Sequence, residues 1–394
     1  MKIVYITESL VTAGGVEKML SEKANYLADV CGYDVTIIVC SQSSLQSNYF
    51  TLSSSVNQIN LNIPLYAQYR YKYPKRLWIK YLTNKQLKSV LSETIHKLSP
   101  DIIVGMGHFK ADIICDIECK AKKIIESHEA RMFTQSGLSQ HQSRLSGLYQ
   151  KYYRKHYFKK IEKKADVVVT LTGGDKVMWG KAKRVEVIPN FSTMPIISLS
   201  NCNAKRIISV GRLSWEKGYD RLLKIWETIS PRFPDWHLDI FGEGELKQSI
   251  NSTIADKGLK NIFIHNFTKS INTEYAKSSI CVVTSYFEGF SLVLLEALKH
   301  GVPCIAFDCP FGPSSILENE RSGFLIEDGN VHLFIEKLSL LMNDIDLRKK
   351  ISKEAVQRSE VFSINRVMRQ WEELFESLCT TKQNATTDID MAHT

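Results

Sequence analysis

Residues 280–308 read ICVVTSYFEGFSLVLLEALKHGVPCIAFD. The pattern predicts a strand over Ile280–Ser285, a turn over Tyr286–Phe290, a helix over Ser291–His300 and a second strand over Pro303–Phe307. Both predicted strands are dominated by apolar residues, which is typical of a parallel sheet covered by helices on both faces. The stretch therefore predicts one strand–helix–strand unit of an α/β domain, with a turn at the carboxyl end of the first strand.

The same alternation recurs along the chain in two series. One series starts with the apolar run Ile3–Thr7, and the other starts at Arg206, after the loop-like segment Asn190–Asn203. We therefore predict an α/β protein of two doubly wound, Rossmann-like domains facing a cleft, because ligands bind at the carboxyl ends of the strands in such sheets. The predicted divisions are residues 1–195, residues 196–380, and a polar tail over 381–394 that we expect to be disordered.

The composition is that of a soluble globular protein. The chain has 394 residues, of which 44% are hydrophobic and 24% charged, a length that favours two domains. No segment reads as a membrane span or a signal peptide, so we expect a cytoplasmic protein. The cysteines number nine and form no CxxC, which favours ordinary thiols in a reducing compartment.

The net charge of +9 is concentrated in two short segments of the first half. Residues 70–88 carry seven Lys/Arg and no acid, and residues 151–164 carry seven Lys/Arg and one acid, Glu162. Tyr, Trp and Phe side chains are interleaved with these cations in both segments. No known nucleic-acid-binding module accompanies them, so the charge does not favour a nucleic-acid partner.

Two carboxylates stand out in the opening stretch. Glu288 lies in the predicted turn, and Glu296 lies about one and a half turns into an otherwise apolar helix, where it could accept two hydrogen bonds from a vicinal diol such as a ribose. The turn should also present donors to an anion or a hydroxyl, namely the backbone N–H groups of Phe290, Ser291 and Leu292. The alternative is that Glu296 is an exposed helix position and Glu288 a solvated turn acid.

Cations and a histidine follow other predicted strands. Arg212 and Lys217 lie in the loop GRLSWEKG, residues 211–218, where they could converge on a diphosphate. The alternative is that both are solvated loop charges. His128 follows the predicted strand KKIIES, and a histidine there is either structural or catalytic.

Several nucleotide and metal motifs are missing or misplaced. The pair Gly14–Gly15 precedes a predicted helix without completing GxGxxG, and GxxxxGK[ST] does not occur. The two DxD patterns, Asp344–Asp346 and Asp388–Asp390, lie between helices and in the polar tail. Neither is a credible metal site.

Together these motifs resemble the retaining GT-B glycosyltransferases of family 4, over about residues 1–380. The resemblance is carried by ISVGRLSWEKGYDRLL, LDIFGEGELKQSI and, above all, FEGFSLVLLEALKHGVPCIAFD, in which Glu288 and Glu296 are separated by seven residues. GGVE, ADVVVTLTGGDK and VIPN in the first half are also similar to the family. The resemblance implies a GT-B fold whose last helix crosses back to the first domain, and a transferase that retains the anomeric configuration of the sugar.

The resemblance also implies roles for matched residues of the second domain. Arg212 and Lys217 would neutralise the departing nucleotide diphosphate. Glu296 would hold the ribose hydroxyls. The transferred sugar would be held by Glu288 and by the backbone of Gly289, Phe290, Ser291 and Leu292.

In the first domain, the resemblance gives roles to two residues. Gly15 would let a helix N-terminus approach the phosphates, and His128 would lie near the sugar. The resemblance implies no metal and no other cofactor, with uridine as the expected base of the donor. It also implies front-face departure and attack, because no nucleophile stands out.

The resemblance indicates only the general class of the acceptor molecule. The chain is similar to members that act in lipopolysaccharide, capsule or exopolysaccharide assembly, although it has Asp308-CPFGPSSIL where many relatives have a Gly-rich turn followed by Pro-Glu. Because acceptors in this family are often lipid-linked, we expect residues 70–88 and 151–164 to contact anionic lipid as a peripheral site on the inner face of the cell membrane. The alternative for 151–164 is a sheet-packing helix with a solvated basic face.

Three other functions remain open at this point. A nucleotide-sugar 2-epimerase shares the fold, and an inactive, partner-binding member is conceivable despite the four matched residues Arg212, Lys217, Glu288 and Glu296. A two-lobed solute-binding protein would need an export signal, which the sequence lacks.

Overall fold

The computed structural model describes residues 1–43, 45–128, 130–131 and 144–390. The chain divides into two compact units, unit 1 formed by Met1–Ile188 with Met368–Thr394, and unit 2 formed by Pro189–Val367. Each unit contains one sheet in which neighbouring strands pair in parallel. The predicted architecture of two doubly wound α/β domains is therefore confirmed.

Unit 1 is built on a seven-stranded sheet. Its strands are β1 (Lys2–Thr7), β2 (Asp34–Val39), β3 (Val56–Asn60), β4 (Ile102–Met106), β5 (Lys122–Ser127), β6 (Val167–Thr170) and β7 (Val185–Val187). They lie in the order β3-β2-β1-β4-β5-β6-β7. Every residue of the central strands β1 and β4 except Lys2 is buried, which explains their mainly apolar sequences.

Helices cover this sheet on both faces. They are α1 (Gly15–Asp29), α2 (Lys75–Leu98), α3 (Ala111–Cys115), α4 (Arg144–Lys164) and α5 (Gly173–Met178), with a 3₁₀ turn over Leu65–Arg70. The core on one face includes Leu87, Leu91 and Ile95 of α2 together with Phe158 and Ile161 of α4.

Unit 2 is built on a six-stranded sheet. Its strands are β8 (Arg206–Val210), β9 (His237–Phe241), β10 (Ile262–His265), β11 (Ile280–Val283), β12 (Cys304–Asp308) and β13 (Gly323–Glu327), in the order β10-β9-β8-β11-β12-β13. The order reverses at β8, as it does at β1 in unit 1. Such a reversal opens a crevice at the carboxyl ends of the strands.

The helices of unit 2 alternate with its strands. They are α6 (Tyr219–Ile229), α7 (Lys247–Asp256), α8 (Ile271–Ala276), α9 (Leu292–Lys299), α10 (Pro313–Ile316), α11 (Val331–Asn343) and α12 (Ile345–Ser359). Short 3₁₀ turns cover Trp215–Lys217, Ser230–Arg232 and Glu360–Phe362. The long helix α13 (Ile364–Asp390) follows.

Two strands were not predicted from the sequence. β3 is at the edge of its sheet and reads VNQIN, and β13 is at the edge of the other sheet and begins with a glycine. Edge strands tolerate polar residues, which explains the weak apolar signal of β3; β13 does contain an apolar run, Phe324 to Ile326, and this run was not recognised as a strand.

The predicted domain limits differ from the units of the structure. Unit 1 ends at Ile188 instead of 195, and it also takes the chain from Met368 onward, which the sequence analysis left in the second domain up to residue 380. The reason is that Trp371, Leu374, Phe375 and Leu378 recur at helical spacing and are buried. This assignment agrees with the expected return of the last helix to the first domain.

Most of the polar tail lies in helix α13, and the expected disorder of this tail stays a prediction. Helix α13 continues to Asp390, through residues 381–390. Once a helix has formed, each residue added to it gains one backbone hydrogen bond. A polar composition alone therefore does not end the helix. None of the described helices is both long and apolar enough to cross a membrane.

Candidate active site

Backbone hydrogen bonds join the loops at the carboxyl ends of β8, β9 and β11. The N–H of Gly211 donates to the carbonyl of Phe241 at 3.0 Å, and that of Leu213 donates to Glu243 at 2.8 Å. On the other side, the N–H of Tyr286 donates to the carbonyl of Glu216 at 2.9 Å. The side chains carried by these loops are therefore held on a rigid backbone at the edge of the sheet.

Glycines allow this close approach. A Cβ at Gly242 would lie 1.9 Å from the carbonyl oxygen of Gly211, so no other residue fits there without moving the backbone. Gly218 has φ +64°, and a Cβ there would lie 2.1 Å from the carbonyl oxygen of Thr284. The glycines of GRLSWEKG and GEG thus serve loop packing.

Lys217 and Glu288 meet at this edge. Lys217 Nζ lies 2.8 Å from Glu288 Oε1, and the Ser285 hydroxyl donates to the same oxygen at 2.7 Å. Glu288 is 8% exposed, so it is not the solvated turn acid of the alternative reading. Ser285 was not singled out from the sequence, although it lies only three residues before Glu288.

The segment after β12 supports Glu288 from the other side. Phe311 forms an isolated parallel bridge with Glu288. A Cβ at Gly312 would lie 2.4 Å from Glu288 Cβ, so the two backbones touch. Nearby, burial raises the pKa of the Cys309 thiol and the Glu288 carboxylate raises it further, which keeps the thiol protonated.

Glu296 is buried in α9. It is 8% exposed, which contradicts the alternative of an exposed helix position. Its carboxylate faces Tyr275 of α8, whose pKa is raised first by burial and then by the charge of Glu296. The ring of Tyr275 in turn stacks on His300 at 5.5 Å between centroids, and His300 Nδ1 lies 2.8 Å from the backbone oxygen of Glu296. Tyr275 and His300 are contacts that sequence reasoning missed.

The segment between the two glutamates begins α9. Phe290 and Ser291 are buried, while Gly289 and Leu292 are partly exposed. Ser291 is the N-cap residue of α9, but its side chain makes no capping hydrogen bond, and its Oγ has no partner among the described residues. A buried hydroxyl in that state is a candidate group for a ligand.

Arg212 is exposed beside this cluster. Its guanidinium has no ion pair with any residue of the described ranges, whereas Lys217 is bound to Glu288. The structure therefore brings Lys217 and Glu288 together and leaves Arg212 available to solvent.

Stacked aromatic rings join the loop after β8 to the loop after β11. Trp215 stacks on Tyr286 with ring centroids 5.0 Å apart and planes at 10°, and the guanidinium of Arg221 lies 3.8 Å from the centroid of Tyr286. Arg221 also forms an ion pair with Asp328 at 2.6 Å. This stack was not predicted, because it joins residues far apart in the sequence.

In unit 1, the predicted site residues lie on separate elements. Gly15 is the first residue of α1 and is exposed. His128 directly follows β5 and is buried, with Nε2 3.2 Å from Glu126 Oε1. Glu126 is also ion-paired with Lys23 of α1. Neither Glu126 nor Lys23 was singled out from the sequence.

The described residues offer no cluster of three or more His, Cys, Asp or Glu side chains that could hold a metal ion. Asp344 of the first DxD pattern has a different role, since its carboxylate caps α12 by accepting from the N–H of Leu347 at 2.8 Å.

The chain is similar to proteins of known family along its length. Residues 192–358 match the family model described as "Glycosyl transferases group 1". The chain is 29% identical to an uncharacterized glycosyltransferase of Haemophilus influenzae, over 94% of this chain and 98% of that protein. It is 25% identical to AmsD, the amylovoran biosynthesis glycosyltransferase of Erwinia amylovora, over 95% of this chain and 99% of that protein.

The fold is also found among solved structures. TarM of S. aureus, in a complex with Fondaparinux, alpha-GlcNAc-glycerol and UDP, matches with a TM-score of 0.76 at 17% identity, over 95% of this chain and 99% of that chain. At this level of identity the match concerns the fold alone, and it confirms the predicted GT-B fold.

Proposed function

The chain belongs to the group 1 glycosyltransferases, and we propose that it transfers a hexose or N-acetylhexosamine from a nucleotide sugar to a glycan or lipid-linked acceptor, with retention of the anomeric configuration. UDP is the nucleotide that we propose, and it is the one bound by TarM. The similarity to AmsD, named for amylovoran biosynthesis, supports a role in the assembly of a bacterial polysaccharide.

The ion pair between the half-buried Lys217 and the buried Glu288 carries this proposal. A cation and a carboxylate 2.8 Å apart, on rigid loops at the carboxyl edge of a sheet, suit a ligand that has both a diphosphate and sugar hydroxyls. We assign Lys217 and Arg212 to the diphosphate, whose charge grows as the glycosidic bond breaks. Glu288 is assigned to the hydroxyls of the transferred sugar.

The remaining donor contacts follow from the same arrangement. Glu296, buried against Tyr275, is suited to accept hydrogen bonds from the ribose hydroxyls. Ser291 Oγ and the backbone of Gly289–Leu292 are suited to the sugar and the phosphates, with the N-terminus of α9 favouring negative charge. We propose in addition that Gly15 and His128 serve the reaction as the family resemblance implies.

In the proposed reaction, the bond between the anomeric carbon and the diphosphate breaks while a bond to an acceptor oxygen forms on the same face. The acceptor proton passes to the departing phosphate. Lys217 and Arg212 offset the developing charge, so we propose that the reaction requires no metal ion.

The test is a panel of nucleotide sugars scored for slow donor hydrolysis and for transfer. With the best donor, Lys217→Ala and Glu288→Ala should each lower kcat/KM by about 100-fold or more, because each removes a charged group that contacts the reacting ligand. Circular dichroism should be unchanged.

The control is a matched ion pair on the surface of the same unit. Lys257 and Glu227 lie 2.5 Å apart and are exposed, so Lys257→Ala and Glu227→Ala should leave kcat/KM unchanged. Wild-type turnover in both site variants would refute the assignment. Release of a C2-epimerised sugar without transfer would instead identify an epimerase.

We also propose that unit 1 contacts an anionic lipid surface through residues 70–88. The first two turns of α2, residues 75–82, contain no buried residue, whereas Thr83, Leu87, Leu91 and Ile95 form a buried stripe further along the helix. Exposed large side chains cluster there and in the preceding turn, namely Tyr66, Tyr69, Tyr73, Leu77, Trp78 and Tyr81.

Cations lie among these aromatic rings. The guanidinium of Arg76 is 4.5 Å from the ring centroid of Tyr69, and Lys75 Nζ is 4.4 Å from that of Tyr71. Aromatic side chains with interleaved cations are suited to the headgroup region of an anionic bilayer. The proposed location is therefore peripheral, on the cytoplasmic face of the cell membrane.

The second basic segment, 151–164, is not included in this surface. It lies in α4, whose Phe158 and Ile161 are buried in the core of unit 1. Lys164 pairs with Asp116 at 2.6 Å, and Lys160 pairs with the same carboxylate. These contacts favour the alternative reading of a packing helix with a basic outer face.

A further inference from the structure

Unit 1 contains a buried charge cluster that the proposed reaction does not use. It consists of Lys23 on α1, Glu126 near the end of β5, and His128 just after β5. The side chains of Lys23, Glu126 and His128 are 3%, 1% and 4% exposed. Burying a lysine and a glutamate costs free energy unless their contacts compensate for the lost hydration. A buried pair of this kind therefore suggests a specific role.

One carboxylate oxygen of Glu126 contacts both Lys23 and His128. Glu126 Oε1 accepts from Lys23 Nζ and lies 3.2 Å from His128 Nε2. By hydrogen-bond geometry, neither Glu126 Oε2 nor His128 Nε2 has a partner among the described residues, so the 3.2 Å between His128 Nε2 and Glu126 Oε1 is a close contact and not an aligned hydrogen bond in this conformation. The imidazole edge that carries Nε2 therefore faces the carboxylate.

The lysine is enclosed by aromatic rings. Its Nζ lies 4.6 Å from the ring centroid of Trp371 and 5.9 Å from that of Tyr5. Trp371 belongs to the part of α13 that joins unit 1. These rings keep water away from the ammonium group and leave Glu126 as its charged partner.

The electrostatics keep the carboxylate ionised. Burial by itself would raise the pKa of Glu126, but the charge of the neighbouring Lys23 ammonium opposes burial, and the pKa of Glu126 is lowered. Burial lowers the pKa of Lys23, and Glu126 opposes that change. An ionised carboxylate beside a histidine ring nitrogen determines which nitrogen carries the proton.

We propose that Glu126 is a positioning residue that holds the Nε2–H of His128 and so leaves Nδ1 free to accept a hydrogen bond from a hydroxyl of the transferred sugar, with Lys23 supplying the balancing charge. This inference rests on the proposed function. It assigns to Glu126 the role that a buried carboxylate has in fixing a histidine tautomer.

The first measurement concerns the tautomer in the full-length protein. Nitrogen NMR of histidine-labelled protein, with His128 assigned through His128→Gln, should find a proton on Nε2. An unprotonated Nε2 with a proton on Nδ1 would overturn the proposal. This measurement does not depend on turnover, so it stays decisive even if the donor panel finds no transferase activity and the proposed function fails.

The second measurement is kinetic. Glu126→Gln alone would leave Lys23 buried without a counter-charge, so it is combined with Lys23→Met, which removes both ions while keeping their size. This double variant should move the proton to Nδ1 and lower kcat about tenfold or more, while KM for the donor changes by less than about twofold. A wild-type kcat in the folded double variant would overturn the proposal.

Two further sets of variants distinguish a positioning role of Glu126 from a purely structural role. In a His128→Ala background the same double variant should cause no further loss of kcat, because Glu126 acts through the imidazole. An equal loss in that background would indicate a structural role only. The matched control is Glu162→Gln, which breaks the buried pair with Arg131 in the same unit and should leave the His128 tautomer unchanged.

Discussion

Single residues far apart in the sequence determine the position of Glu288. Lys217 binds its carboxylate from 71 positions earlier, and Phe311 and Gly312 contact its backbone and its Cβ from the opposite side. Phe311 itself has φ +77°, a conformation that side-chain-bearing residues rarely adopt. Strain of this kind persists where the surrounding structure over-determines it, and here it borders the candidate site.

Gly312→Ala should therefore impair catalysis more than stability. A Cβ at this position would lie 2.4 Å from Glu288 Cβ and 3.3 Å from its carbonyl oxygen, so the turn that carries Glu288 must move. A shift of about 1 Å in a reacting group can cost on the order of 100-fold, and we expect a loss of that order in kcat/KM. The measurement is donor turnover together with thermal unfolding.

The control for this prediction is Gly173→Ala. A Cβ at Gly173 has no heavy atom within 4 Å, so neither turnover nor unfolding should change measurably. If Gly312→Ala retained full kcat/KM, contact with the 308–313 segment would not position Glu288.

At the scale of elements, one arginine joins two helices and a loop in unit 2. Arg348 of α12 is 4% exposed and donates to the carbonyls of Leu341 at 2.6 Å and Met342 at 3.1 Å, in the last turn of α11. It also donates to the carbonyl of Cys202 at 3.0 Å. The guanidinium thus satisfies carbonyl groups that a helix end otherwise leaves without partners.

Arg348→Met should destabilise the protein by about 3 kcal/mol, because it keeps the apolar stem and leaves buried carbonyls unsatisfied. The measurement is the midpoint of urea unfolding. Arg321→Met is the comparison, since Arg321 makes exposed ion pairs with Glu318 and Glu354 that contribute at most about 1 kcal/mol. Equal midpoints for the two variants would contradict the capping role.

For the molecule as a whole, charge and exposed aromatic residues are unevenly distributed. Among the residues whose exposure is described, 70–88 combines cations with a cluster of exposed rings, while 151–164 is part of a packed helix in which Lys160 and Lys164 share Asp116. A contact with anionic lipid would therefore involve unit 1 at the start of α2.

Reversing Lys75, Arg76 and Lys80 to Glu should weaken binding to vesicles of mixed anionic and neutral lipid at least tenfold. Each cation near such a surface contributes about 1 kcal/mol, and reversal adds repulsion. The measurement is co-sedimentation at physiological salt, and raising the salt should weaken the wild type toward the variant.

The matched comparison carries the same change in net charge on unit 2. Lys349, Lys350 and Lys353 are exposed on α12, and their reversal should have a smaller effect than that of the α2 residues. Equal losses would mean that overall charge, and not this surface, governs binding. Unchanged binding after reversal of the α2 residues would remove the proposal.

Local patterns in the sequence predicted the two parallel sheets and the edge of each sheet at which a ligand was expected to bind. Apolar runs and helical spacing are local properties, so they predict β11, α9 and β12 to within a residue or two. They also put Lys217 and Glu288 after strands of one sheet, because parallel strands share a carboxyl edge. The polar edge strand β3 gave no such signal, and the short apolar run of β13 was not recognised as a strand.

The contacts between these side chains, in contrast, became apparent only in the folded chain. The tertiary structure paired Lys217 with Glu288, put Gly312 against that glutamate, enclosed Glu126 between Lys23 and His128, and assigned the chain from Met368 to unit 1. Each contact joins residues distant in sequence, and the periodicity of one chain carries no information about such partners. Burial then gives these contacts their strength, because charges that water cannot reach must be satisfied by one another.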